Sequence, residues 1–121
     1  MSERGTIADP AAAALAAYLG GDRILAERLY SEALASNPEE VAALQGLGVI
    51  RFEQKRTDEA IALLAKAANL APRNAGIRRN HAAALAVGQR FAEAAVEYRA
   101  ALETEPDAAA DWSRLGSQNS G

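Results

Sequence analysis

The sequence predicts an all-α fold: three antiparallel helix pairs stacked in a row, closed by one further helix at the C-terminal end. Three observations carry this. Pro38, Pro72 and Pro106 stand 34 residues apart. The same interval relates Ala26, Ala60 and Ala94, then Tyr30, Leu64 and Tyr98, then Ala33, Ala67 and Ala101. Alanine, the strongest intrinsic helix former, makes up about a quarter of the 121 residues. A fixed period of this length marks stacked units, each too small to bury its apolar face alone.

The elements follow in order. Asp9-Pro10 supplies a capping residue and then proline, a helix-start signature. The apolar run from Ala11 to Leu19 makes the first helix. The first helix of each unit is expected to end near Gly20, Gln54 or Gly88, where glycine takes a left-handed C-cap at low cost. The second helix of each unit carries alanine, a large residue four on, and alanine three further. That is one helix face, with small residues allowing close approach and the large one filling the gap. The recurring proline is expected to open the next unit, with Asn37-Pro38 as cap and first helical residue. The units are read as Ile7–Glu40, Val41–Asn74 and Ala75–Ala108. A fourth begins and stops: one amphipathic helix over about 107–116, whose Trp112 and Leu115 would cover the third unit, then a flexible polar tail at 117–121. The whole chain reads as a single domain.

Composition excludes several function classes. A net charge of −3 is too mild for nucleic-acid binding on bulk electrostatics. With no cysteine and one histidine, His81, neither a thiolate nor a histidine-rich metal site is available. No glycine-rich phosphate loop or nucleophile–base constellation appears, so no cofactor and no catalysis are expected. Acidic pairs such as Glu39-Glu40 and Asp58-Glu59 sit near helix starts, where they suit the helix dipole. The run Ala11–Leu19 is far too short to span a bilayer. Asp9 and Pro10 before it argue for a helix of the domain rather than a secretion signal, which makes a cytoplasmic location the expectation.

The pattern resembles the tetratricopeptide repeat family over nearly the whole chain. The second unit matches best, with Leu44, Leu47 and Gly48 in its first helix, then Ala60, Leu64, Ala67 and Pro72. Trp112, Leu115 and Gly116 restart the family's Trp-x-x-Leu-Gly signature. The first unit departs at Pro10, Ala13 and Ala14, and the third at Arg78 and His81, where large apolar residues are usual.

The resemblance implies a right-handed solenoid whose first helices line a concave groove that binds protein. Carried over position by position, the groove comprises Leu15, Tyr18 and Leu19 from the first unit and Gln45, Val49, Phe52 and Glu53 from the second. The third adds Arg79, Asn80 and Ala83, and the last helix Arg114. The carboxylate clamp that some members use for chaperone C-termini is disfavoured. Its positions hold Ala11, Leu15, Gly46, Gly76 and Asn80, and only Asn80 matches. What remains is an apolar strip of Leu15, Tyr18, Leu19, Val49 and Phe52 with a polar rim of Glu53, Arg79, Asn80 and Arg114. That strip suits an amphipathic helix or apolar peptide. The expected function is an adaptor or scaffold for a partner protein or peptide. Two alternatives are homo-oligomerisation through the stack ends and a regulatory or substrate-binding piece of a larger protein. The units carry net charges of −4, +2 and −1 in order; the basic middle reads first as a solvated helix surface, with steering of an acidic partner as the alternative.

Overall fold

The structure, a computed structural model, describes residues 9–104. Within them six helices follow one another: α1 Pro10–Leu19, α2 Arg23–Ser36, α3 Val41–Glu53, α4 Thr57–Leu70, α5 Ala75–Val87 and α6 Phe91–Thr104. Each odd helix packs antiparallel on the even helix after it, and α2 packs on α3 as α4 packs on α5. The first helices also touch along the stack, α1 with α3 and α3 with α5. No comparable contact joins α2 to α4 or α4 to α6 among the described residues, so the first helices line the inner side of the curve. This is an all-α solenoid of three helix pairs. The expected C-terminal helix at 107–116 and the tail at 117–121 lie outside the described residues.

Local sequence explains most helix ends. The carboxylate of Asp9 accepts the N–H of Ala12 at 3.2 Å, that of Asp22 accepts Leu25 at 3.1 Å, and the amide oxygen of Asn74 accepts Ile77 at 3.0 Å. Each satisfies a first-turn donor that has no partner inside its helix. Within each pair the chain reverses through one turn type. The N–H groups of Asp22, Arg56 and Arg90 donate to the carbonyls of Ala17, Arg51 and Leu85, six-to-one bonds that close a Schellman motif.

Two expectations about turns are corrected. The left-handed residue is Gly21 (φ 93°), Lys55 (φ 67°) or Gln89 (φ 66°), one position beyond the Gly20, Gln54, Gly88 column. Gly20 and Gly88 are right-handed, at φ −81° and −79°. The six-to-one bond places the reversal at the residue after the C-cap, and the column is the C-cap itself. Likewise Asn37-Pro38 opens no helix. Asn37 ends α2, and the N–H of Glu40 bonds its carbonyl at 3.0 Å. Pro38 is the second residue of that four-residue turn, where its fixed φ fits. Pro72 sits likewise in the turn closed by Asn74 N–H on Ala71 C=O at 3.0 Å. Pro38 and Pro72 thus punctuate the gaps between pairs, and Pro106 lies outside the described residues.

The small–large–small column forms the spine of the packing. Ala26, Tyr30 and Ala33 join Ala14, Ala43, Leu47 and Ile50 in one buried cluster. Leu64 and Ala60 meet Ala84, Leu85 and Ala94 in a second. Leu44, Ala67, Ala68 and Ile77 make a third between the second and third pairs. At Gly48 a Cβ would lie 2.8 Å from Leu64 Cγ, so glycine is what lets α3 and α4 close. The third pair holds together differently. Arg78 pairs with Glu97 at 2.9 Å and donates to Pro72 C=O at 2.7 Å, and His81 Nδ1 lies 3.7 Å from the same carboxylate. Polar contacts between α5 and α6 thus stand where other units use aliphatic ones.

Candidate functional site

Two cavities open along the first helices. The larger, about 390 Å³, lies between α1 and α3 and is lined by Leu15, Tyr18, Gln45, Gly46 and Val49, with Asp9 and Glu40 among its charged groups. The smaller, about 280 Å³, lies between α3 and α5 and is lined by Val49, Phe52, Glu53, Leu64, Asn80 and Ala83. Val49 lines both, so the two cavities lie side by side along the first helices. Of the groove residues carried over by position, Leu15, Tyr18, Gln45 and Val49 meet in the first cavity, and Val49, Phe52, Glu53, Asn80 and Ala83 in the second. Leu19, 74 % exposed, lines neither, and nor does Arg79. Arg114 lies outside the described residues.

Several of these residues also hold the fold. Tyr18 packs on the first core cluster and Phe52 on the second, whereas Val49 belongs to none of the three. The Tyr18 hydroxyl donates to Glu53 Oε2, Arg23 Nε bonds Glu53 Oε1 at 3.1 Å, and the Arg23 guanidinium lies 4.3 Å above the Tyr18 ring. This clasp joins α1, α2 and α3 beside the two cavities. Desolvation pushes the Glu53 carboxyl up, but the hydrogen bonds from Tyr18 and Arg23, with the charge of Arg23, outweigh it and leave its pKa lowered. The same bond to Glu53 is the main cause that raises the pKa of Tyr18.

Two of the five cations of the middle unit, Arg51 and Arg56, are held by carboxylates. Arg51 is held by Glu27 at 2.7 Å and by Glu59 at 3.1 Å, and Arg56 by Glu59 at 2.9 Å. The hydrogen bond from Arg51, then that from Gln54, holds the Glu27 carboxyl below its ordinary pKa. Glu59 is already in the count of the middle unit, whereas Glu27 comes from the first unit and offsets one further positive charge there.

Sequence reasoning left Asp9, Glu40 and Leu64 out of the groove, and also Tyr30. It belongs to α2, a second helix, yet it lines the larger cavity. A Cβ at Gly46 of α3 would overlap Tyr30 Cζ, so the phenol end passes directly beneath α3 at that glycine. The available signal was the pair itself, a tyrosine in the large column and a glycine on the helix that follows.

Among the described residues no group of His, Asp and Glu side chains is placed to hold a metal ion, and no helix is long and apolar enough to cross a membrane. No curated relative matches the chain. Among solved structures it is similar to a mutant of the Thermobaculum terrenum O-GlcNAc transferase, with 27% identity and a TM-score of 0.79 over 88% of this chain and 21% of that one. It is also similar to MamA of AMB-1, with 28% identity and a TM-score of 0.71 over 80% of this chain and 53% of that one. A second MamA structure, 22% identical with a TM-score of 0.67 over 79% of this chain and 52% of that one, shares the fold. The chain thus spans about a fifth of the transferase and about half of MamA. The family profile described as Tetratricopeptide repeat matches residues 17–79, just over half of the sequence. With the helix pairs, their 34-residue period and the cavities along the first helices, this makes the chain a member of the tetratricopeptide repeat family.

Proposed function

We propose that the chain is a protein-interaction scaffold that binds a peptide or helical segment of a partner along α1, α3 and α5. One observation carries this reading: two cavities with mainly apolar linings lie side by side along the first helices, with Val49 lining both. Adjacent apolar cavities accept alternate side chains of an extended segment or one face of a helix. Val49 is also the residue to test, because Tyr18 and Phe52 support the core while Val49 stands apart from it. The protein and its Val49→Arg variant, each immobilised, should differ in what they retain from lysate of the native cells, read by mass spectrometry. Partners held by the parent and lost by the variant, with unchanged helical circular dichroism, are the expected result. Identical retention by both would overturn the groove.

A second reading, stack extension by another copy, is favoured by Phe91, Tyr98 and Leu102. These large apolar side chains of α6 are exposed. Continuation of a repeat stack is a heterologous contact, so it predicts a mass that grows with concentration in light scattering. A constant monomer mass would count against it.

A further inference from the structure

The cavity between α1 and α3 has features that a purely apolar partner would leave unused. Tyr30 is 4 % exposed and lines it, and its hydroxyl has no hydrogen-bond partner among the described residues. The hydroxyl is not among the buried unsatisfied atoms, so it opens to the cavity, where a polar group of a ligand can take the place of water. Two carboxylates line the same cavity. Asp9 and Glu40 also line an adjoining depression of about 450 Å³ that holds Ser36 and Asn37. The Oδ1 atom of Asp9 caps α1 through Ala12 N–H, and Glu40 accepts one long bond, 3.4 Å, from Asn37 Nδ2. No described cation pairs with either, in contrast to Glu27, Glu53, Glu59 and Glu97.

We propose that this cavity takes a peptide segment in which an apolar side chain is followed by lysine or arginine. The proposal rests on the scaffold reading above and names its ligand chemistry. The apolar side chain seats against Leu15, Tyr18 and Val49. A polar group of the segment bonds the Tyr30 hydroxyl, and the cation enters between Asp9 and Glu40. Charge complementarity selects the segment: a cation gains two carboxylates, and an acidic residue in that place is repelled.

The test selects phage-displayed random dodecapeptides on the whole protein, then measures the enriched sequences as fluorescein-labelled peptides by polarisation. Enriched peptides should carry lysine or arginine close to an apolar residue. Changing that cation to glutamine should weaken binding roughly tenfold, an effect that more salt reduces. The loss should vanish in the Asp9→Asn/Glu40→Gln protein, in which asparagine still caps α1. Tyr30→Phe keeps the ring and should weaken binding roughly fivefold without altering the charge preference. Peptides that are blocked by Val49→Arg but show no cation preference would overturn this proposal and leave the scaffold reading standing. Peptides that still bind Val49→Arg, or no enriched peptide at all, would overturn both.

Discussion

Tyr30 and Tyr98 occupy the same position of the first and third helix pairs, yet Tyr30 is 4 % exposed and Tyr98 43 % exposed. Leu64, between them in the column, is buried. Each sits on the second helix of its pair, on the face that the next pair covers. Tyr30 runs beneath Gly46 of α3, and Leu64 meets Ala84 and Leu85 of α5. On α6, the last described helix, Phe91, Tyr98 and Leu102 are exposed. One residue type in one repeat position thus serves as core, groove lining or open surface, according to its neighbour. In a solenoid the stability of a unit is shared with the interface it makes, so identical positions need not weigh the same.

The largest test of this contrast is truncation. Tyr30→Ala should cost about 3–5 kcal/mol of unfolding free energy, as for other buried aromatics, and Tyr98→Ala about 1 kcal/mol or less. Urea denaturation followed by circular dichroism reads both. Equal losses would mean that Tyr98 is covered in solution, which would redirect attention to the α6 face. A smaller effect comes from closing the space above the ring. Gly46→Ala sets a Cβ against Tyr30 Cζ and should cost about 1–3 kcal/mol by overpacking. At the matching position one unit on, Asn80→Ala should change stability by about 0.5 kcal/mol or less. Combining Gly46→Ala with Tyr30→Ala should recover part of the loss, since the two residues share one contact.

The smallest effect is on pH. Around Tyr30 the first and second pairs are also joined by polar contacts, through Glu27 with Arg51 and Glu53 with Tyr18 and Arg23. Both carboxyls have folded pKa values below the ordinary 4.5. Their contribution is complete above that ordinary value and is lost as pH falls through the depressed folded values. The melting temperature should therefore fall on acidification below about pH 4.5, and amide exchange in α1–α3 should quicken before that in α4. Glu53→Gln and Glu27→Gln should each flatten the acid limb. An acid limb unchanged in both variants would show that the clasp adds no stability.

Much of the fold was legible because helix periodicity is local. Alanine, a large residue and alanine at positions 26, 30 and 33 share a face whatever surrounds them, and the interval recurs at 60 and 94. Caps at Asp9, Asp22 and Asn74 are equally local, made within three residues of sequence. The turns were less legible. Proline suits the first turn of a helix and the second place of a β-turn alike, and only the bond from Glu40 to Asn37 separates them. For the groove, positions on first helices could be carried over by register, and most of them line two adjacent cavities. Tyr30 and Leu64 could not be found that way, because they reach the cavities from the helices behind.

By itself, then, the sequence determined the period, the helix pairs and the small–large–small face, since these depend on spacing within one chain segment. Only the tertiary structure decided which tyrosine is buried, which arginines are neutralised and which carboxylates face an open cavity. Those outcomes depend on distances between side chains more than twenty positions apart, such as Arg51 with Glu27 and Glu53 with Tyr18. Such distances are set when one pair stacks on the next. The 34-residue column that aligns Tyr30 with Tyr98 carries no record of whether a helix lies above it.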